Sequence, residues 1–227
     1  MSGTELRNER RIFTPRTAVL IIVLVVVCVA LTTLLQFKEV TDLDVWLFQE
    51  VREQYETDLK SFMRAFTELG SILVWFPVVP LLWLIHRKKE ATSLFIALLT
   101  VVVFAASMKY AIDRPRPYDV ILAVNPLYRP LDPSFPSAHA MTVFAGAVAI
   151  GTKWRRTLIP FLVLAVAVGF SRVYIGVHFP FDVASGALIG ILIGLLADSL
   201  NLSRMIHWFE IRMQRLARRL GLSPGAS

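Results

Sequence analysis

The chain has 227 residues, 56% of them hydrophobic and 18% charged, with a mean hydropathy of +0.60. Soluble domains run at about 45–50% apolar and about 25% charged, so an ordinary soluble globule is excluded and an integral membrane protein is predicted. A net charge of +7 would point a soluble chain toward nucleic acid, but here the basic residues flank apolar runs, the pattern of fixed membrane topology. No nucleic-acid partner is expected.

Residues 1–16 form a polar segment carrying Arg7, Arg10, Arg11 and Arg16, and Thr17 opens the first apolar run, which extends to about Phe37. No small-residue cleavage site ends that run, so it is read as a retained span. Cys28 within it is the only cysteine, which excludes an intramolecular disulfide and a thiolate metal site. Residues 38–68 are acidic, with Leu43, Leu47, Val51, Tyr55, Leu59, Phe62, Met63 and Phe66 at helical spacing. This pattern predicts an amphipathic helix on the membrane or against the bundle rather than a span. A second span is predicted from about Gly70 to Ile85, interrupted by Pro77 and Pro80, and a third from about Ala91 to Ala111. A proline-rich loop, about 112–136, leads to a fourth span from about Ser137 to Thr152. The fifth runs from about Thr157 to Ile175 and the sixth from about Asp182 to Leu200, where Gly186, Gly190 and Gly194 make a close-packing face. The tail, 203–227, opens with a basic amphipathic stretch in which Met205, Phe209, Met213, Leu216 and Leu220 share a stripe beside Arg204, Arg212, Arg215, Arg218 and Arg219.

The expected architecture is therefore all-α: six transmembrane helices in a bundle spanning 17–202, with an external amphipathic segment at 38–68. Six spans put both termini and the short loops at 86–90 and 153–156 on one side, and all are rich in Lys and Arg. By the positive-inside rule that side is the cytoplasm. Three clusters of ionisable residues then fall at the outer face of a cell membrane. Such groups are costly beside hydrocarbon, so they are functional candidates by default.

In the first cluster Lys109, Arg114 and Arg116 are set among prolines near a helix end, an arrangement that suits phosphate or diphosphate. In the second, Ser137 follows a proline at the predicted start of a helix, where free backbone amides make an anion site, and His139 lies one turn in. In the third, Arg172, His178 and Asp182 stand together, the His and Asp four residues apart, so the carboxylate reaches the imidazole on a helix or tight turn. A metal is disfavoured because the set offers two histidines, no cysteine and several cations.

These residues carry a resemblance. Lys109 with Arg116-Pro117, then Pro136-Ser137-Ala138-His139, then Ser171-Arg172 with His178 and Asp182 resemble, in order, the three motifs of the type 2 phosphatidic acid phosphatase family. The second motif usually reads Pro-Ser-Gly-His, and Ala138 departs from it while keeping a backbone amide. The resemblance covers about Gly70 to Leu200. It implies a lipid phosphatase that needs no cofactor and works through a phosphohistidine. In that scheme His178 attacks phosphorus and Asp182 holds its ring. His139 protonates the leaving group and then activates water, while Lys109, Arg116, Ser137, Ala138 and Arg172 bind the phosphoryl oxygens. Arg114 is an extra cation available to a second phosphate. Among substrates the resemblance favours a polyprenyl diphosphate such as undecaprenyl diphosphate, followed by phosphatidylglycerophosphate and phosphatidate. A lipid phosphotransferase and a lipid transporter without chemistry are the competing functions, and the oligomeric state stays open.

Overall fold

A computed structural model describes residues 12–54, 59–126, 128–200 and 202–219. Among them the regular structure is entirely helical. In chain order the helices are α1 (Pro15–Leu34), α2 (Lys38–Gln54), α3 (Lys60–Thr67), α4 (Ile72–Trp75), α5 (Val78–Leu84), α6 (Lys88–Ile112), α7 (Pro117–Val120), α8 (Ala138–Gly151), α9 (Arg155–Tyr174), α10 (Pro180–Ser199) and α11 (Leu202–Arg219), with a short 3₁₀ turn at Glu68–Gly70.

The bundle is built around α8. Its alanines and glycines let neighbours approach closely, and Ala140 through Gly151 are buried by α6, α9 and α10. The glycine face of α10 is used here: a Cβ at Gly186 would stand 2.5 Å from the carbonyl oxygen of Ser137, and one at Gly194 2.8 Å from that of Ala145. This stripe thus packs within the chain, against α8. Trp75 lies on Gly146 and donates its indole N–H to the carbonyl of Leu69 at 2.8 Å.

Among the described residues four stretches are long and apolar enough to cross a membrane: Pro15–Leu34, Lys88–Val120, Arg155–Tyr174 and Pro180–Ser199. A fifth is made by Ser61–Gly70 with Ile72–Leu84, bent by 54°. At about 1.5 Å per residue, the 14 residues of α8 cover only about 21 Å of a hydrocarbon core roughly 30 Å thick. The expected six spans are reached only by counting α8 and the bent pair. The second span is not one continuous helix, because Ser71 caps a new turn and Pro77 stands between that turn and α5, which carries Pro80 in its first turn.

The segment 38–68 also departs from expectation. It forms α2 and α3 rather than one helix, and the intervening residues 55–58, with Tyr55, lie outside the described part. Val51, Met63 and Phe66 of the stripe read in the sequence pack inward, but the first part of α2 is rotated away from it. Leu43 and Leu47 are exposed, whereas Asp44 and Phe48 turn inward and Val51 packs beside Phe48, Val173 and Phe179. A bundle partner that offers an arginine to Asp44 decides the rotation, which hydrophobicity alone could not. In the tail, α11 leaves Trp208, Met213 and Leu216 exposed and is tied to the bundle by Lys88 with Glu210 and by Trp83 on Phe209. Arg7, Arg10, Arg11, Leu220 and the side chains of Arg204, Met205, Arg218 and Arg219 lie outside the described residues.

Candidate active site

The order α6–loop–α8 and α9–loop–α10 brings the three clusters to one end of the bundle. Asp182 occupies the first turn of α10, where its Oδ2 accepts from the backbone N–H of Phe179 at 2.9 Å and Pro180 fixes the entry. The four-residue spacing to His178 then sets Nδ1 3.5 Å from Asp182 Oδ2. Ser134 donates its hydroxyl to the same carboxylate oxygen and stands 3.4 Å from His178 Nδ1. Asp182 Oδ1 accepts from Arg114 Nη1 at 2.5 Å. Both His178 and Asp182 are fully buried. Burial pushes the His178 imidazole well below its ordinary value, the Asp182 hydrogen bond opposes this, and Arg172 and Arg116 add to it. The ring is thereby held in the neutral form, the one with a free lone pair.

Lys109 comes from the last turn of α6, which Asp113 ends in a left-handed conformation. Its ammonium lies 3.0 Å from Asp132 Oδ2 and donates to the carbonyl of Pro133. Arg116 is spread over several acceptors: its Nε donates to the Asp132 carbonyl at 2.7 Å, Nη2 to Asp132 Oδ1 at 2.8 Å and Nη1 to the Val177 carbonyl at 2.7 Å. Nη1 also stands 3.4 Å from His178 Nε2. Burial would raise the Asp132 carboxyl, but Lys109 and Arg116 outweigh it and hold Asp132 below the usual carboxylate range. Arg172 donates through Nη1 to Tyr128 Oη at 2.6 Å and to Thr67 Oγ1 at 3.3 Å.

Ser137 takes the N-cap position of α8, but its hydroxyl makes no capping bond. Its backbone N–H donates to the carbonyl of Asp182 at 3.0 Å, which ties the second cluster to the third. Among the described residues Ser137 Oγ, His139 Nε2 and Arg172 Nε are buried and have no hydrogen-bond partner. The positive charges of Arg172, Lys109 and Arg116 face His139. A cavity of about 290 Å³ opens beside Lys109, Asp132 and His139, between α6, α8 and the Gly70–Ile72 turn. Its wall is mostly apolar, with Val101, Ala105 and Ile72, and it reaches the exposed Val102 and Tyr110. Among the described residues no group of three or more His, Cys, Asp or Glu could hold a metal ion.

The sequence profile of the PAP2 superfamily matches residues 90–204, a stretch that contains all three clusters. The chain belongs to the PAP2 superfamily. An undecaprenyl-diphosphatase of Sulfolobus acidocaldarius is 34% identical over 175 residues, 74% of this chain and 82% of that one. The crystal structure of Aquifex aeolicus LpxE superposes with a TM-score of 0.63 at 34% identity, covering 68% of this chain and 94% of LpxE. A PAP2-type phosphatidylglycerolphosphate phosphatase from Bacillus subtilis shares the fold, with a TM-score of 0.65 at 23% identity over 82% of this chain and 95% of the relative. As a PAP2 protein with several apolar helices, the chain is a membrane phosphatase of lipid phosphates.

Within this PAP2 site Lys109, Arg116, Ser137, Ala138, His139, Arg172, His178 and Asp182 come to the same end of the bundle. Arg114 does too, but its guanidinium is engaged by Asp182 and, at 2.7 Å, by Asp44. The sequence offered it as an extra cation for a second phosphate; in the structure both of its Nη atoms are held by carboxylates beside the His178–Asp182 pair. Ser134, Asp132, Tyr128, Thr67 and Asp44 were not singled out in the sequence. Ser134 and Asp132 had a signal in their place two and four residues ahead of Pro136, inside a rigid proline-rich run. Asp44 had one in sharing a helical face with Phe48 and Val51.

Proposed function

We propose that the chain removes the terminal phosphate of a lipid diphosphate through a phosphohistidine, with undecaprenyl or another polyprenyl diphosphate as the preferred substrate. The observation that carries this reading is the trio of buried, unpartnered polar atoms on Ser137, His139 and Arg172 beside a cluster of cations. Buried polar atoms are normally paired; of these three, His139 lines the cavity that also holds Lys109, and the Ser137 hydroxyl and Arg172 Nε–H are donors left for an anion at the same end of the bundle. In the reaction His178 Nε2 attacks phosphorus in line while the bond to the leaving oxygen breaks, and His139 delivers the proton to that oxygen. Asp182 steadies the ring through Nδ1 as positive charge develops on it. The phosphoryl oxygens displace the Asp132 carboxylate from Lys109 and Arg116 and take further bonds from Arg172, Ser137 and the Ala138 amide. Water, deprotonated by His139, then attacks phosphorus, the phosphorus–nitrogen bond breaks and phosphate leaves.

A lipid fits because the cavity runs from these polar groups along an apolar wall to the outer surface of α6. Six spans, termini in the cytoplasm and a site at the outer leaflet remain the topology that the charge distribution supports. The polyprenyl preference draws on the Sulfolobus relative's name, and the Bacillus relative keeps phosphatidylglycerophosphate as the second reading. The test is phosphate release by detergent-purified protein in EDTA, with undecaprenyl diphosphate, phosphatidylglycerophosphate, phosphatidate and diacylglycerol diphosphate compared. EDTA-insensitive release, fastest from the polyprenyl diphosphate, is expected. A faster glycerophosphate lipid would overturn the substrate preference. Dependence on an added acceptor lipid would make the protein a transferase, and no release from any lipid would favour transport.

A further inference from the structure

Asp44 lies on α2, ahead of the stretch that the superfamily profile matches. Its carboxylate is buried and fully used: Oδ2 accepts from Arg114 Nη2 at 2.7 Å and Oδ1 from the backbone N–H of Phe181 at 2.7 Å. The same guanidinium donates its Nη1 to Asp182 Oδ1 at 2.5 Å and lies 4.5 Å from the centroid of the Phe179 ring. Phe48, one turn beyond Asp44, meets Phe179 edge-on with centroids 5.5 Å apart. Thus α2 grips the ring of Phe179 and the backbone of Phe181, both of which lie between His178 and Asp182.

We propose that Asp44 is a positioning residue of the reaction, one that shares Arg114 with Asp182 and so preserves a net negative charge behind the His178 imidazole. The inference rests on the phosphohistidine mechanism. As Nε2 bonds to phosphorus, the ring acquires positive charge that reaches the Nδ1–H, and Asp182 stabilises it. A guanidinium committed to Asp182 alone would cancel much of that carboxylate. Two carboxylates on one arginine leave one negative charge in excess, in a site with little water to screen it. The arrangement also ties the ring's orientation to α2, an element outside the three motifs.

A charge effect and a purely structural bridge differ in what substitution does. Asp44→Asn keeps the size and the acceptor for Phe181 but leaves Arg114 on Asp182 alone. It is expected to lower kcat roughly 10- to 100-fold with KM changed less than about twofold. Arg114→Gln leaves two buried carboxylates without their cation and is expected to be at least as damaging. The double variant Asp44→Asn with Arg114→Gln restores one net negative charge at Asp182, so it should turn over faster than either single variant. If Asp44→Asn fails to fold, Asp44→Glu, which retains the charge, should keep more than about a tenth of wild-type kcat. Unchanged kcat in Asp44→Asn, a double variant no faster than the worse single, or an Asp44→Glu enzyme with less than that residual activity would overturn the proposal. Wild type and His178→Ala are measured alongside on undecaprenyl diphosphate. An active His178→Ala would defeat the phosphohistidine mechanism itself rather than the role of Asp44. A wild type inactive on this lipid would overturn the substrate preference and move the same comparison to the lipid it does hydrolyse.

Discussion

The two ends of this bundle both bury polar groups, and they treat them in opposite ways. At the end remote from the site, Lys153 donates to Asp198, Thr152 donates to the same carboxylate at 3.1 Å, and Arg16 stands 3.7 Å away. Nearby, Ser199 donates its hydroxyl to Thr17 at 2.9 Å, and Thr17 donates to the Ser199 carbonyl at 3.2 Å. These groups clamp α1, α8 and α10 by satisfying one another. At the site end, hydroxyl, imidazole and guanidinium atoms on Ser137, His139 and Arg172 are left without partners among the described residues. A self-satisfied cluster holds helices together. A buried cluster with donors to spare is built for something that arrives.

The sharpest way to break this contrast is to remove the nucleophile. His178→Ala should cut phosphate release about a thousandfold or more while leaving the thermal midpoint in detergent close to wild type, and near-normal activity would dissolve the distinction. Next come two glycines of one stripe. Gly186→Ala drives a methyl toward the Ser137 carbonyl at the site end and should cost about 10- to 100-fold in kcat by displacing the start of α8. Gly194→Ala meets Val148 and the Ala145 carbonyl at the remote end and should lower stability with little effect on kcat per folded molecule. At the clamp, Asp198→Asn leaves Lys153 and Arg16 without their carboxylate and should destabilise by about 1–3 kcal/mol, seen as a lower thermal midpoint with kcat unchanged.

The smallest effect concerns pH. Because burial lowers the His178 pKa below its ordinary 6.5, the folded chain binds fewer protons at this residue than the unfolded one. Its contribution to stability is therefore fully present above about pH 6.5 and falls as pH drops below that value. The nucleophile stays neutral through mildly acidic pH. The limb of the kcat/KM profile that reports protonation of His178 should lie well below 6.5, and replacing Asp182 should move that limb.

How far this could be read from the chain differs between the fold and the site. The long apolar runs of α1, α6, α9 and α10 announce themselves by length, and three polar clusters at their ends can be matched to one another by spacing. The rotation of α2 could not be read, because Leu43 and Leu47 join Val51 in as good an apolar stripe as Phe48 does. Only a partner distant in sequence, Arg114, selects the face that carries Asp44. Arg114 itself looked like a spare cation because its two carboxylates come from opposite sides of it in the chain. Pro77 and Pro80 were visible inside the second span, but the bend at Ser71, which joins it to α3 as one bent pair, was not, since it goes with the packing of α3 on α9.

In the proposed mechanism His178 carries the phosphoryl group between the two halves of the reaction. The most direct test is to mix the protein with terminally radiolabelled undecaprenyl diphosphate, quench in alkaline detergent on the timescale of one turnover, and locate any label on the chain. A base-stable, acid-labile label is predicted on the peptide containing His178, lost in His178→Ala together with phosphate release. A label on another residue, or continued turnover by His178→Ala, would contradict it.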